Sequence, residues 1–481
     1  MINATIKKYV SRYVVPFYFE YENDGYTRLV KYFLNDERDY RALGLPKDCK
    51  WVKRGFWENY RSDEVRQPEM DIYTYLLEVF NDEEDTNLNN LGTSFVLKTN
   101  GSLFNLQYVN LEESDDISFK CNDLGVILFR NGIGFIWYDI KFGTNISIEE
   151  YVNFQHYFKE LARTHSEMFR KKIEKGKYEV FCMGKWIANI INSHELKIKF
   201  WDERKTKLYN TKQEICIPDK SLLFQYLFID TIEELERIDL AFRIANGYDT
   251  KYNSPSNLKN KIYEPFGNTC FFTTKAGTSY VVSNNESNEI FFKENFKGKY
   301  IRDYFFIYVL LLYQTYSCAH YSRLLTKLPA EIKDIENNEK HIGKINDLHS
   351  QINLFLVKST YESTSNIQHQ NSAYVYGKNS LRIKEDMKSI TVGLDALHVI
   401  ELERQKAEDY VITNRKDRAI NIVLVIFGFL AVFSVTIDAL NLVDWFNSHN
   451  LVWGHWVSLG IIIVLTVFMF IVLIVNTSRK K

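Results

Sequence analysis

AINIVLVIFGFLAVFSVTIDAL, residues 419–440, and WVSLGIIIVLTVFMFIVLIV, residues 456–475, are the stretches on which the reading of this chain turns. Each is close to the ~20 apolar residues that a helix needs to cross the hydrocarbon core of a bilayer. Only residues 441–455 separate them, so the pair predicts a transmembrane helical hairpin attached to a large polar body. Arg415, Lys416 and Arg418 precede the first segment, and Arg479, Lys480 and Lys481 follow the second. The loop between carries no Lys or Arg, which by the positive-inside rule places both termini in the cytoplasm and the loop outside. Trp445, Trp453 and Trp456 fall where the outer interface would lie. Residues 1–21 mix charges with aromatics, so no cleaved signal peptide is expected. The expected location is the inner or plasma membrane.

The body sets the remaining bounds. The 481 residues allow more than one domain, and 46% hydrophobic content supports a full core. Mean hydropathy is -0.27, so the apolar hairpin is a minority of the mass. Lys+Arg 60 against Asp+Glu 61 gives a net charge of -1, which argues against a nucleic-acid-binding body. Six cysteines are scattered without a Cys-x-x-Cys pair, so reduced thiols are expected in place of a zinc or redox motif. Aromatic content of 15% reads mainly as packing area.

Along the first 300 residues the pattern is α+β, a mixed sheet with helices. Residues 14–21 read as a strand that Pro16 would confine to an edge. Residues 93–99 and 104–110 read as a hairpin around Asn100-Gly101, and 125–130 with 134–140 as a second around Asn131-Gly132. In the latter, Phe135, Trp137 and Asp139 share one face while Ile136, Tyr138 and Ile140 share the other. Residues 147–172 read as a helix, opened by Ser147 with Glu149 and Glu150. Strands are expected at 178–183 and 222–228, a helix at 231–245 ending before Gly247, and loops at 254–260 and 283–288. Residues 304–313 are apolar but too short to span a bilayer, which predicts a buried helix.

From Glu331 the chain turns helical. Ile342, Ile345, Leu348, Ile352 and Phe355 recur at spacings of three and four, as do Ile383, Met387, Ile390, Leu394 and Leu397, giving an a/d seam. The seam fits either an intrasubunit pair or an oligomer. The polar stretch 361–380 reads as a helix–helix turn or a mobile tip. From Leu381 to the first apolar segment nothing stops a continuous helix. The expected organisation is a sensor domain at 1–300, a helical stalk at 301–418 with a long helix at 381–418, the hairpin at 419–475 and a basic tail at 476–481.

Candidate chemistry is sparse. Ala431, Ser434, Asp438 and Asn441 share one helix face. An ionisable residue inside a span faces protein or a water path, so the stripe reads as a pore lining in which Asp438 attracts cations. Leu424 and Phe427 continue it as a hydrophobic constriction. The competing reading leaves Asp438 at the interface with no specific role. Lys53, Arg54, Trp57, Tyr60 and Arg61 mix cations with stacking surfaces, as nucleotide pockets do. Thr273, Thr274, Lys275, Gly277 and Thr278 could turn around an anion. His156 and His165 read as surface helix residues. No His-Glu-x-x-His, Walker A loop or Gly-x-Ser-x-Gly elbow is present, so an enzyme is not expected.

Over residues 331–481 this layout resembles the CorA-type divalent-cation channel superfamily: a long helix at 381–418, a first span, a short outer loop, a second span and the tail Arg479-Lys480-Lys481. The stretch containing Leu311-Leu312-Tyr313-Gln314 is similar to the preceding helix in divergent members. The family's Gly-Met-Asn motif is replaced here by Asn441-Leu442-Val443-Asp444-Trp445. That departure disfavours constitutive magnesium transport, which stays the alternative beside a non-conducting scaffold. It favours the divergent CorA-like membrane effectors associated with type III CRISPR systems. The resemblance implies a homopentamer in a lipid bilayer, with no direct nucleic-acid contact. It also implies gating by a nucleotide second messenger of adenylate type, S-adenosylmethionine joined to AMP among the candidates, and a divalent cation as a further ligand.

Overall fold

The strand Ile6–Tyr18 (β1) lies near the middle of the main sheet and shows how the sequence builds it. Its odd-numbered residues Tyr13, Val15 and Phe17 enter one buried cluster, and Val10 and Val14 enter another. That alternation is the period-two signature of a strand buried on both faces. The computed structural model describes residues 4–19, 24–35, 45–46, 48–53, 72, 76, 91–99, 101–109, 117–143, 145–161, 169–174, 177–191, 196, 198–200, 203–206, 215–285, 289–331, 338–448, 460 and 463–464.

After β1 come helix α1 (Gly25–Leu34) and strands β2 (Lys50–Lys53), β3 (Gly92–Lys98), β4 (Phe104–Tyr108), β5 (Ile117–Phe129) and β6 (Ile133–Phe142). Helix α2 (Ile148–Phe158), β7 (Phe169–Glu174), β8 (Lys177–Val180), α3 (Met183–Ile190) and the short strands β9 (Lys199–Phe200), β10 (Glu203–Thr206) and β11 (Ile215–Pro218) follow. Then come β12 (Leu222–Ile229), α4 (Glu234–Asn246), β13 (Thr269–Thr274) and β14 (Gly277–Ser283). Two π-helical turns, Phe291–Phe296 and Tyr300–Tyr304, lead into α5 (Phe305–Glu331), α6 (Asn338–Ser359), α7 (Gln368–Ser380) and the 66-residue α8 (Ile383–Ser448).

The main sheet runs β13-β14-β12-β1-β6-β5-β4-β7-β8, with β3 also on β5, β2 on β3 and β9 on β1. Pairings are antiparallel except β12 with β14, which are parallel and joined through α4. One sheet face is covered by α1 to α4, and the other by the π-helical segment, α5, α6, α7 and the start of α8. The body is therefore a helix–sheet–helix sandwich.

Several local expectations hold. The Asn131-Gly132 hairpin joins β5 to β6, with Gly132 at φ 84, the left-handed region such a turn requires. Ser147 caps α2 in a reciprocal capping box with Glu150. Gly247 ends α4 in a left-handed conformation. Residues 304–313 are buried throughout, and α8 is continuous from Ile383.

Others are corrected. β3 and β4 do not pair with each other; they lie end to end along the same edge of β5. The long strand β5 offers more backbone groups than either short partner can use. Pro16 does not place β1 on an edge: β12 ends opposite Val14, so the missing N–H falls beyond that neighbour. The helix at 147 stops at Phe158, and Phe169–Glu174 is strand. Residues 368–380 form a helix, with Ala373 and Tyr374 buried. The seam residues Leu348, Ile352 and Phe355 share one core with Ile383, Met387, Ile390 and Leu394, which places that part of the seam within the subunit.

The transmembrane hairpin is also corrected. Among the described residues no helix is long and apolar enough to cross a membrane. The second apolar segment is described only at Gly460, Ile463 and Val464. The membrane hairpin and the membrane location are not supported. The chain divides into two compact units, Met1–Leu394 and Asp395–Lys481.

Candidate functional site

Strand β1 opens with Ile6-Lys7-Lys8-Tyr9, and a register shift between Ile6 and Lys8 breaks the alternation there: Lys7 Nζ lies 5.9 Å from the Phe228 ring while Tyr9 packs against the core on the other face of the sheet. At the same end, β6 delivers Asp139, Ile140, Lys141 and Phe142, and β5 delivers Lys120 directly opposite Lys141. Asn145 and Ile146 approach from the turn before α2. Lys297 and Ile301 reach in from the π-helical segment. Together they enclose a pocket of about 310 Å³. That lies at the lower end of the range of about 300–1,000 Å³ usual for small-ligand sites.

Charge sets this pocket apart. Five lysines line it, Lys7, Lys8, Lys120, Lys141 and Lys297, against one carboxylate, Asp139. Lys7 is satisfied at its rim by Asp230 at 3.1 Å and Glu289 at 3.8 Å. Among the described residues no carboxylate pairs with Lys8, Lys120, Lys141 or Lys297. Like charges directly across a sheet, as at Lys120 and Lys141, are destabilising unless something lies between them. The Lys297 ammonium is pushed below its usual pKa, first by burial and then by Lys8 and Lys141, with Asp139 opposing weakly.

Asp139 is turned inward. Its carboxylate accepts from Arg12 Nε at 2.6 Å and Nη2 at 2.8 Å, and the Arg12 side chain is fully buried. The guanidinium is sandwiched between the rings of Trp137 and Phe305, each 4.2 Å away. Trp137 itself lies across Gly125, where an added Cβ would come within 2.3 Å of the indole. Behind the pocket wall Gln155 donates to Ser11 Oγ at 2.8 Å and accepts from Tyr13 at 2.7 Å. Gln225 accepts from Tyr151 at 2.7 Å and donates to the Arg12 carbonyl at 3.1 Å. Tyr9 receives the Phe142 amide at 2.8 Å, fixing its ring at the rim. The site thus has a braced floor and a cationic mouth. Such a mouth is suited to an anion carrying more than one negative charge.

None of the described residues singled out from sequence lines this pocket. Lys53 is half-buried on β2; Arg54, Trp57, Tyr60 and Arg61 lie outside the described residues. Leu424, Phe427, Ala431, Ser434, Asp438 and Asn441 are all exposed on α8. At the β13–β14 turn the hydroxyls are engaged internally: Thr274 donates to the Ala245 carbonyl and Thr278 to the Phe272 carbonyl. His156 is half-buried, its Nδ1 2.9 Å from the Gly247 carbonyl oxygen, and His165 lies outside the described residues. Sequence reading missed the pocket because its lysines come from three strands and a helical segment far apart in the chain. The one local signal was Lys7-Lys8 at the head of a strand. No family, no curated protein and no solved structure matches this chain.

Proposed function

We propose that the first unit is a sensor for a small phosphate-bearing ligand of adenylate type, held in the lysine pocket. One observation carries this reading: four lysines that, among the described residues, have no carboxylate partner converge on a concave site whose one described acid, Asp139, is committed to Arg12. Lysine binds phosphate oxygens as a compact point charge, and the Tyr9 ring at the rim offers a surface beside it. Signalling by an AMP-bearing messenger in type III CRISPR defence, as the resemblance implies, is the setting in which such a sensor would act. The pocket offers cations and hydroxyls, so the role proposed is binding, not turnover. The divalent-cation transporter reading is not carried forward, since four uncompensated lysines repel such a cargo.

Calorimetric titration with AMP and with an S-adenosylmethionine–AMP conjugate tests this. Binding is expected to weaken steeply with salt. Lys141→Ala should lose about 10- to 100-fold in affinity, the worth of one charge-assisted hydrogen bond. Absence of heat with either ligand, or an unchanged affinity in Lys141→Ala, would remove the pocket from the function.

A further inference from the structure

Phe292, Phe296, Tyr300 and Tyr304 recur at a strict spacing of four, and all are buried in one core. In a regular α-helix that spacing drifts by about 40° per step, so the four rings could not stay on one face. The segment solves this with two wider π-helical turns, Phe291–Phe296 and Tyr300–Tyr304, around a short α turn at Lys297–Lys299. Such turns are rare and frequently lie at functional sites. Hydrogen bonds to β12 hold them in register. Tyr226 donates to the Phe292 carbonyl at 2.8 Å, and Tyr300 donates to the Gln225 carbonyl at 2.8 Å.

Lys297 sits between the two π turns and is the segment's charged contribution to the pocket. The far turn faces α7. There Asp303, fully buried and bonded to Arg302 at 2.6 Å, accepts from Gln370 at 3.2 Å. The Tyr304 hydroxyl lies 2.8 Å from His369 Nδ1.

We propose that Lys297 is the residue through which the pocket reports its occupant. A phosphate anion bound by Lys8, Lys141 and Lys297 clamps the Phe291–Tyr304 segment, and the clamp passes through Asp303 and Tyr304 to α7. This inference rests on the anion-sensor reading above. Without ligand, Lys297 is held against its own burial and two neighbouring ammonium groups, which strains the segment between its two π turns. An anion relieves that repulsion only while Lys297 stays in place, so occupancy and order of the segment are linked.

Hydrogen–deuterium exchange of the full chain with inorganic pyrophosphate tests it, with calorimetry run alongside. At ten times the dissociation constant, exchange through openings that release the ligand should slow about tenfold. Slowing is expected in peptides covering Phe291–Tyr304 and the first turn of α7. Lys297→Met should still bind at higher pyrophosphate concentration, through Lys8, Lys120 and Lys141, but leave the segment's exchange unchanged at saturation. Binding to the wild-type chain without slower exchange there would overturn the inference alone. Equal protection in saturated Lys297→Met would do the same. No binding in calorimetry would take down the sensor reading and this inference with it.

Discussion

His320, on α5, is buried, and burial together with Arg323 pushes its pKa from 6.5 down to about 4. The folded chain therefore holds it neutral, while the unfolded chain charges it below pH 6.5. Between pH 6.5 and about 4 the unfolded state binds the extra proton, so stability falls as pH falls through that window and the effect levels off below it. The shift corresponds to up to about 3 kcal/mol. Urea unfolding between pH 7 and 4 should show a smaller acid loss for His320→Leu than for the wild-type chain; equal losses would assign the acid sensitivity to carboxylates alone. Arg12 makes the opposite case at the same scale. In the core its guanidinium meets a bidentate carboxylate and two aromatic faces in place of water. Neither environment is visible in the local sequence, since Asp139, Trp137 and Phe305 reach Arg12 only through pairing and packing.

At the level of elements, close approach between neighbouring strands is decisive. Gly125 of β5 leaves room for Trp137 of β6, and that indole backs the Arg12 guanidinium. An alanine there would force the ring to move. Gly125→Ala should cost about 1–3 kcal/mol, the usual range for overpacking a core. The measurement is the denaturant midpoint, and a wild-type value would mean that the sheet relaxes locally. The π-helical segment carries the same lesson in reverse. Its four-residue aromatic spacing was present in the sequence but matches no ideal helix. Packing on the buried sheet face, together with the hydrogen bonds made by Tyr226 and Tyr300, selects the wider turns.

For the whole molecule, the outstanding feature is the surface of α8 in the second unit. Ile422, Val423, Leu424, Val425, Ile426 and Phe427 are consecutive and all exposed. More than one helical turn of apolar side chains is therefore bare on every side, which a lone helix in water does not sustain. Self-association is the expected outcome, in keeping with the oligomer that the resemblance implies. Sedimentation at several protein concentrations should show an assembly, and Leu424→Glu with Phe427→Glu should shift it towards monomer. A wild-type chain that stays monomeric throughout would count against it.

The sequence by itself determined features set by neighbours in the chain. These are the Asn131-Gly132 turn, the Ser147 capping box, the Gly247 stop, the burial of residues 304–313 and the unbroken α8. Each depends on a few consecutive residues whose backbone preferences and periodicity act locally. It also pointed to a hairpin between β3 and β4 and an edge position for β1, because a turn signal and a proline cannot say which strand lies alongside. Its apolar C-terminal runs suggested two membrane spans that the described structure does not support. Only the tertiary structure decided the strand order, the intrasubunit seam and the site. Lys8, Lys120, Lys141 and Lys297 lie far apart in sequence and meet because strand pairing and one helical crossing place them there. Electrostatic repulsion acts through space, so a cluster of like charges that invites an anion has no signature along the chain.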